Sequence, residues 1–425
     1  MSILIKNGRL LNPATEFDGI TDVLIEGDRI VKVQKDITEK SDTVIDASGK
    51  LVMPGFIDLH VHFRDPGFEY KEDILTGSKA AARGGVTTVC AMPNTKPVMD
   101  SVEILQSTLN KIKKEAVINV LQVSAITKGE SGETLVDMKK MLDAGAIAFS
   151  EDGKSVMNIK LYEEAMKKAA ELDAVIMAHC EDRDLAGTGV LNKGVASSRF
   201  QVDGISNATE DVIAARDIFL AKEYGTRLHL CHCSTEGSVA LVKMARELGV
   251  KITAEVCPHH FILSDADINS EDSNYKMNPP LRSRKDVQVM IKGLKDGIID
   301  VIATDHAPHS KEEKSLNFKQ ALFGVVGLET CASLTYTTLV DTGIISHLEM
   351  ARKMSYNPAK IIGIQEERGD IACGKYADIV IFDPRKEYTI DSEQFVSKGK
   401  NTPFNGMKVK GEVECTIYQG QIVYK

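Results

Sequence analysis

Leu51-Val-Met-Pro-Gly-Phe-Ile-Asp58-Leu-His60-Val-His62-Phe-Arg64 decides how this chain is read. The apolar run 51–57 has the length and composition of a buried strand. Along a strand, residues two apart point to one face, so His60, His62 and Arg64 share a side. Two imidazoles at a strand end can grip one divalent metal. Two histidines could also merely cap a core. The Asp-x-His-x-His-x-Arg spacing favours the metal.

From residue 56 to about 365, strand-like runs alternate with helical stretches. The runs are 85–91, 118–124, 147–149, 174–178, 227–231, 251–255 and 299–303. The helical stretches between them include 75–82, 135–143, 160–171, 210–223, 238–247 and 286–295. With the strand at 52–59, this makes about eight β/α units, the pattern of a parallel barrel. An open doubly wound sheet is the competing reading, but no G-x-G-x-x-G follows any strand. Residues 1–55 are hairpin-rich, with a turn at Gly27-Asp28-Arg29. Residues 366–425 return to β, and the two ends are expected to form one small composite β-sandwich domain. The fold class expected is α/β: a (β/α)8 TIM-type barrel with that appended domain.

The chain has 425 residues, is 43% apolar and carries a net charge of −9 without a basic cluster, so nucleic acid is not an expected partner. No apolar run has the length of a membrane span, and the N-terminus lacks a signal-peptide layout. A cytoplasmic protein is expected. None of the eight cysteines sits in a CxxC pair, and they read as reduced, mostly buried thiols. In Cys231-His232-Cys233 the two thiols of a strand would face away from His232.

Polar residues able to bind metal recur just after the strands. They are His60 and His62, Asp152, His179, His232 and Asp305. In a parallel barrel these strand ends open on one face. Four imidazoles with two or three carboxylates suit two divalent ions.

Several stretches resemble the dihydroorotases. Asp58-Leu-His-Val-His-Phe-Arg-Asp-Pro66 and Ala303-Thr-Asp-His-Ala-Pro-His-Ser-Lys-Glu-Glu-Lys314 are similar to that family's two signatures. Ala91-Met-Pro-Asn-Thr-Lys-Pro97, Asn278-Pro-Pro-Leu-Arg282 and Phe323-Gly-Val-Val-Gly-Leu-Glu329 are similar to further dihydroorotase stretches. The resemblance spans nearly the whole chain and is to the longer-chain, class I type within the amidohydrolase superfamily. It implies reversible cyclisation of N-carbamoyl-L-aspartate to L-dihydroorotate in pyrimidine synthesis, with two Zn2+ per subunit. By motif, His60 and His62 would hold one zinc with Asp305, His179 and His232 the other, and Asp152 would bridge them. Asp305 would be the catalytic acid–base. Arg64, Asn94 and His309 would hold the substrate carboxylate, with His62 beside it. Asn278 and the backbone of Phe323 and Gly324 would meet the ring amides. Zinc, cobalt and manganese all suit such ligands. A homodimer is the expected assembly, and aspartate transcarbamoylase is a candidate partner.

Many superfamily relatives bridge their metals with a carbamylated lysine; here Asp152 takes that place, with Lys154 the rival. His229, His259, His260 and His306 are expected around the site rather than as ligands, and His347 at the surface. The polar run 311–318 is expected to be a flexible loop at the site mouth. Two rival functions remain. One is another cyclic amide hydrolase, such as a dihydropyrimidinase, hydantoinase or allantoinase, which would lack the Arg64–Asn94–His309 set. The other is an inactive subunit, which would have lost metal ligands.

Overall fold

The computed structural model describes residues 2–425. Eight strands form the barrel: Phe56–Val61, Val86–Ala91, Asn119–Gln122 with Ser124–Ala125, Phe149–Ser150, Val175–Ala178, Arg227–Leu230, Ile252–Val256 and Val301–Ile302. They pair in parallel, in chain order. The third strand joins two arcs of the barrel. Val123 N–H donates to the Ala91 carbonyl on one side, and Ser124 N–H to the Ala148 carbonyl on the other. Closure comes from a parallel bridge between Val61 and His306, where His62 N–H donates to the His306 carbonyl at 2.8 Å.

Local signals set the helices between the strands. Asp73 accepts from Thr76 N–H at the start of Ile74–Arg83, and Thr235 and Ser283 do the same for Glu236–Glu247 and Arg284–Lys295. The helix expected over 135–143 begins only at Met138, because Leu135 is bridged to Thr127 and Asp137 caps the helix. The strand expected at 299–303 pairs over Val301–Ile302 alone.

Both chain ends form one further sheet. Its eight strands come from Ser2–Pro54 and Ile379–Tyr424, and Ile379–Thr389 lies beside Leu51–Pro54. Period-two alternation divides its side chains between two cores. Ile379 and Ile381 pack with Ile3, Ile25 and Ile417 inside the sheet domain. Val380 and Phe382 instead join the core shared with the barrel. The domain is thereby seated on the barrel by every second residue of one strand.

Candidate metal and substrate site

The strand ends converge as the spacing predicts. His60 is the penultimate residue of the first strand and has no exposure, and His62, Asp152, His179, His232 and Asp305 follow their strands by one to three residues. Asp152 sits among four imidazoles. Its Oδ1 is 3.2 Å from His60 Nε2, 3.7 Å from His179 Nδ1 and 3.8 Å from His232 Nε2, and its Oδ2 is 3.5 Å from His62 Nε2. Asp305 Oδ1 lies 3.1 Å from His62 Nε2 and 3.6 Å from His60 Nε2.

The donor set fits bound cations. His60 Nε2 and Asp152 Oδ1 are buried without a hydrogen-bond partner, although they lie 3.2 Å apart. His179 Nδ1 and His232 Nε2 face each other at 2.9 Å. Meanwhile the outer nitrogens are engaged. His60 Nδ1 contacts Glu255 Oε1 at 3.0 Å, His62 Nδ1 contacts Asn94 Oδ1 at 2.9 Å, and His179 Nε2 contacts Glu181 Oε2 at 3.3 Å. Assigning the N–H to each outer nitrogen leaves a lone pair on the inner one, the tautomer a metal requires. His60, His62 and Asp305, and His60, Asp152 and His232, each bring ligand atoms within 4.8 Å of one another.

Electrostatics follow the same geometry. Burial alone would raise the Asp152 carboxyl, but His60, His232 and His62 hold it well below the ordinary carboxylate range. Burial likewise opposes ionisation of Asp305, and His62 and His60 outweigh it. Arg64, His232 and Asp305 hold left-handed backbone, with φ of 59°, 33° and 47°. Such conformations cost non-glycine residues roughly 1–3 kcal/mol each and cluster at functional sites.

A cavity of about 180 Å³ opens over this cluster. Of the expected residues, His62, Arg64, Asn94, Asp152, His179, His232, Asn278, Asp305, Phe323 and Gly324 line it. His60 lies beneath, and His309 stands behind Arg64, its Nε2 3.3 Å from the guanidinium and 2.7 Å from the Phe323 carbonyl. Arg64 Nε donates to the Pro308 carbonyl at 3.2 Å. Among the described residues, no carboxylate lies within salt-bridge distance of Arg64.

Three expected substrate contacts also have protein partners. Asn94 places its amide between His62 and Asp152, donating to Asp152 Oδ2 at 3.1 Å. Asn278 Nδ2 donates to Glu181 Oε1 at 3.0 Å. Gly324 N–H donates to the Lys276 carbonyl at 3.0 Å, and a Cβ there would lie 2.7 Å from the Ala307 carbonyl oxygen. Lys154 points away from the imidazoles, donating to the Glu130 carbonyl at 3.1 Å.

Sequence reading missed Glu255 and Glu181. Glu255 ends an apolar strand, and His229 Nε2 meets its second oxygen at 3.0 Å. A carboxylate inside such a strand is itself a signal, whereas Asp305 was singled out by following its strand. Among the remaining histidines, His306 lies 3.4 Å from Glu72 and its Nδ1 accepts from Gly327 N–H. His260 Nε2 donates to the Pro279 carbonyl. His347 is half-buried, 5.8 Å from the Tyr336 ring. The run 311–318 is a short helix, Lys311–Lys314, followed by a turn. Buried Phe318 and Lys314 pin it, so its polar surface faces out from an anchored segment.

The Dihydro-orotase-like family model matches residues 49–238, and the Amidohydrolase family model matches residues 295–424. The dihydroorotase of Thermoanaerobacter sp. (strain X514) is 47% identical over 425 residues, covering 100% of this chain and 98% of its own. That of Clostridium acetobutylicum is 46% identical over 424 residues, covering 100% and 99%. Among solved structures, L-hydantoinase (dihydropyrimidinase) from Arthrobacter aurescens superposes with a TM-score of 0.91 at 26% identity, covering 100% of this chain and 96% of that one. Dihydropyrimidinase from Brevibacillus agri NCHU1002 gives 0.88 at 26% identity, covering 100% and 95%.

Proposed function

The chain belongs to the dihydroorotase family of cyclic amide hydrolases, and from that premise we propose that it interconverts N-carbamoyl-L-aspartate and L-dihydroorotate in pyrimidine synthesis. The observation that carries the substrate assignment is Arg64, a half-buried guanidinium on the cavity wall with no carboxylate partner of its own. Both forms of the substrate bring a carboxylate, which a guanidinium meets with two parallel hydrogen bonds. An uncharged hydantoin would leave that cation unmatched, which disfavours the activity named for the structural neighbours.

The metal cofactor is read here as two zinc ions. His60, His62 and Asp305 would hold one, His179 and His232 the other, and Asp152, within 4 Å of all four imidazoles, would bridge them. Such ions lower the pKa of water and polarise the scissile carbonyl. Asp305 takes the proton of the attacking water and returns it to the ring nitrogen that leaves, and in ring closure the same carboxyl works in reverse. Arg64, Asn94 and His309 orient the carboxylate. Asn278 and the Phe323–Gly324 segment border the ring. Asn94 steadies His62 and Asp152 while closing that side of the cavity. Barrel boundaries near residues 56 and 365, a homodimer, association with aspartate transcarbamoylase and a cytoplasmic location complete the proposal. No helix among the described residues is long and apolar enough to cross a membrane.

The test is turnover of dihydroorotate and carbamoyl aspartate followed by ultraviolet absorbance, with hydantoin and allantoin as controls. Turnover of the controls without turnover of dihydroorotate would sink the reading.

A further inference from the structure

One wall of the cavity is held by a residue from far along the chain. Asn401 lies in the connection between Ile379–Thr389 and Lys408–Tyr418, two strands of the terminal sheet domain. It is 4% exposed. Its Oδ1 accepts from His309 N–H at 3.0 Å. Its Nδ2 donates to the Ala307 carbonyl at 3.1 Å and to the Gly324 carbonyl at 3.0 Å. Val326 N–H donates in turn to the Asn401 carbonyl at 2.9 Å.

These bonds end on two segments, Ala307–His309 and Gly324–Val326. Ala307 and Gly324 line the cavity, and His309 stands behind Arg64. The Gly324 carbonyl has a second donor in Lys314 Nζ, at 3.0 Å, and that buried ammonium also donates to the carbonyls of Lys276 and Leu322. The approach of the segment is close. A Cβ on Gly399, two residues before Asn401, would lie 2.6 Å from Pro308 Cβ.

We infer that Asn401 is a positioning residue for substrate, through which the terminal sheet domain sets the place of His309 and of the Gly324 peptide. The inference rests on the reading of His309 as a carboxylate contact. An amide suits the position because it offers one acceptor and two donors to one N–H and two carbonyls. A displacement of about 1 Å in such a wall can cost as much as 10²-fold in rate. The expected metal ligands sit on barrel strand ends that Asn401 does not touch, so metal binding should be indifferent to it.

The discriminating variant is Asn401→Asp. It keeps the size and the acceptor for His309 N–H, but its carboxylate cannot donate to the two carbonyls. The expected result is a KM for dihydroorotate raised about tenfold or more, a smaller change in kcat, and metal content equal to wild type. A purely architectural role would lower the melting temperature and leave KM unchanged in the folded enzyme, and that outcome overturns the inference. Should Asn401→Asp fail to fold, Asn401→Ser decides. Its shorter side chain loses the bonds to the Ala307 and Gly324 carbonyls and should also raise KM; an unchanged KM overturns the inference. Arg64→Met is measured alongside. If it leaves KM unchanged, the carboxylate reading itself has failed; if it raises KM while Asn401→Asp does not, only the role of Asn401 is lost.

Discussion

The two sides of the cavity are built differently. On the metal side, His60, His62, Asp152, His179 and His232 all sit at barrel strand ends, each fixed by the parallel ladder beneath it. Their outer partners belong to the barrel strands too: Asn94 follows the adjacent strand, Glu181 follows the same strand as His179, and Glu255 lies within the seventh strand. On the substrate side, Arg64, His309, Phe323 and Gly324 belong to loops; Asn401 bonds His309 and Gly324 from far along the chain, and Lys314 bonds Gly324 from within the same stretch. The first side therefore inherits its geometry from the sheet, where register leaves little freedom. The second must be assembled by side-chain hydrogen bonds over long sequence distances. Losses on the metal side should appear in metal content and in the chemical step, and losses on the substrate side in KM.

Asp305→Asn tests this most severely. The amide keeps the shape and part of the metal affinity but cannot accept and return a proton. Activity should fall by roughly 10²–10⁴-fold in both directions, read by paired assays of ring opening and closure. A rate near wild type would remove Asp305 from the proton transfer.

Arg64→Met isolates the substrate side. Loss of a charge-assisted pair worth about 1.5–3 kcal/mol should raise KM for dihydroorotate roughly 10- to 150-fold. Metal content, read by atomic absorption, should stay at the wild-type level. Loss of metal in this variant would break the division between the two sides.

Glu255→Gln probes the metal side through a residue that reaches the cavity by way of the His60 ring and the His232 backbone N–H. Burial would raise the Glu255 carboxyl, but hydrogen bonds from His229 and His60 hold it well below the ordinary range. The amide should weaken metal binding about 10- to 100-fold while leaving KM at saturating metal unchanged. Competition against a chelator measures the first, and steady-state kinetics the second.

The smallest effect concerns a carboxyl without such imidazoles. Glu130 is buried, and burial pushes it up from 4.5 to about 8, with Lys154 3.7 Å away only partly offsetting this. The folded chain then keeps a proton that the unfolded chain has released. Its contribution to stability is complete below the unfolded value of 4.5 and is lost as pH rises through about 8. Glu130→Gln cannot ionise, so it should flatten the fall in melting temperature across that interval. A slope identical to wild type would show that Glu130 is ionised in the folded protein at neutral pH.

Local pattern along the chain was enough for the barrel and for the convergence of His60, His62, Asp152, His179, His232 and Asp305. Strand-like runs at regular spacing, each followed by His or Asp, suffice because a parallel barrel brings all its strand ends to one face whatever the intervening loops do. The motifs also singled out Arg64 and His309, which meet beside the cavity. Only the tertiary structure showed that Asn94 supports His62 and Asp152, that Glu255 and Glu181 back His60 and His179, and that Lys154 turns away to Glu130. It alone connected Asn401 to His309 and Gly324. The physical reason is range. Periodicity and strand-end spacing are local and repeat along the chain, whereas a single side-chain amide joining residues 92 positions apart leaves no periodic trace and exists only once the sheet domain is seated on the barrel.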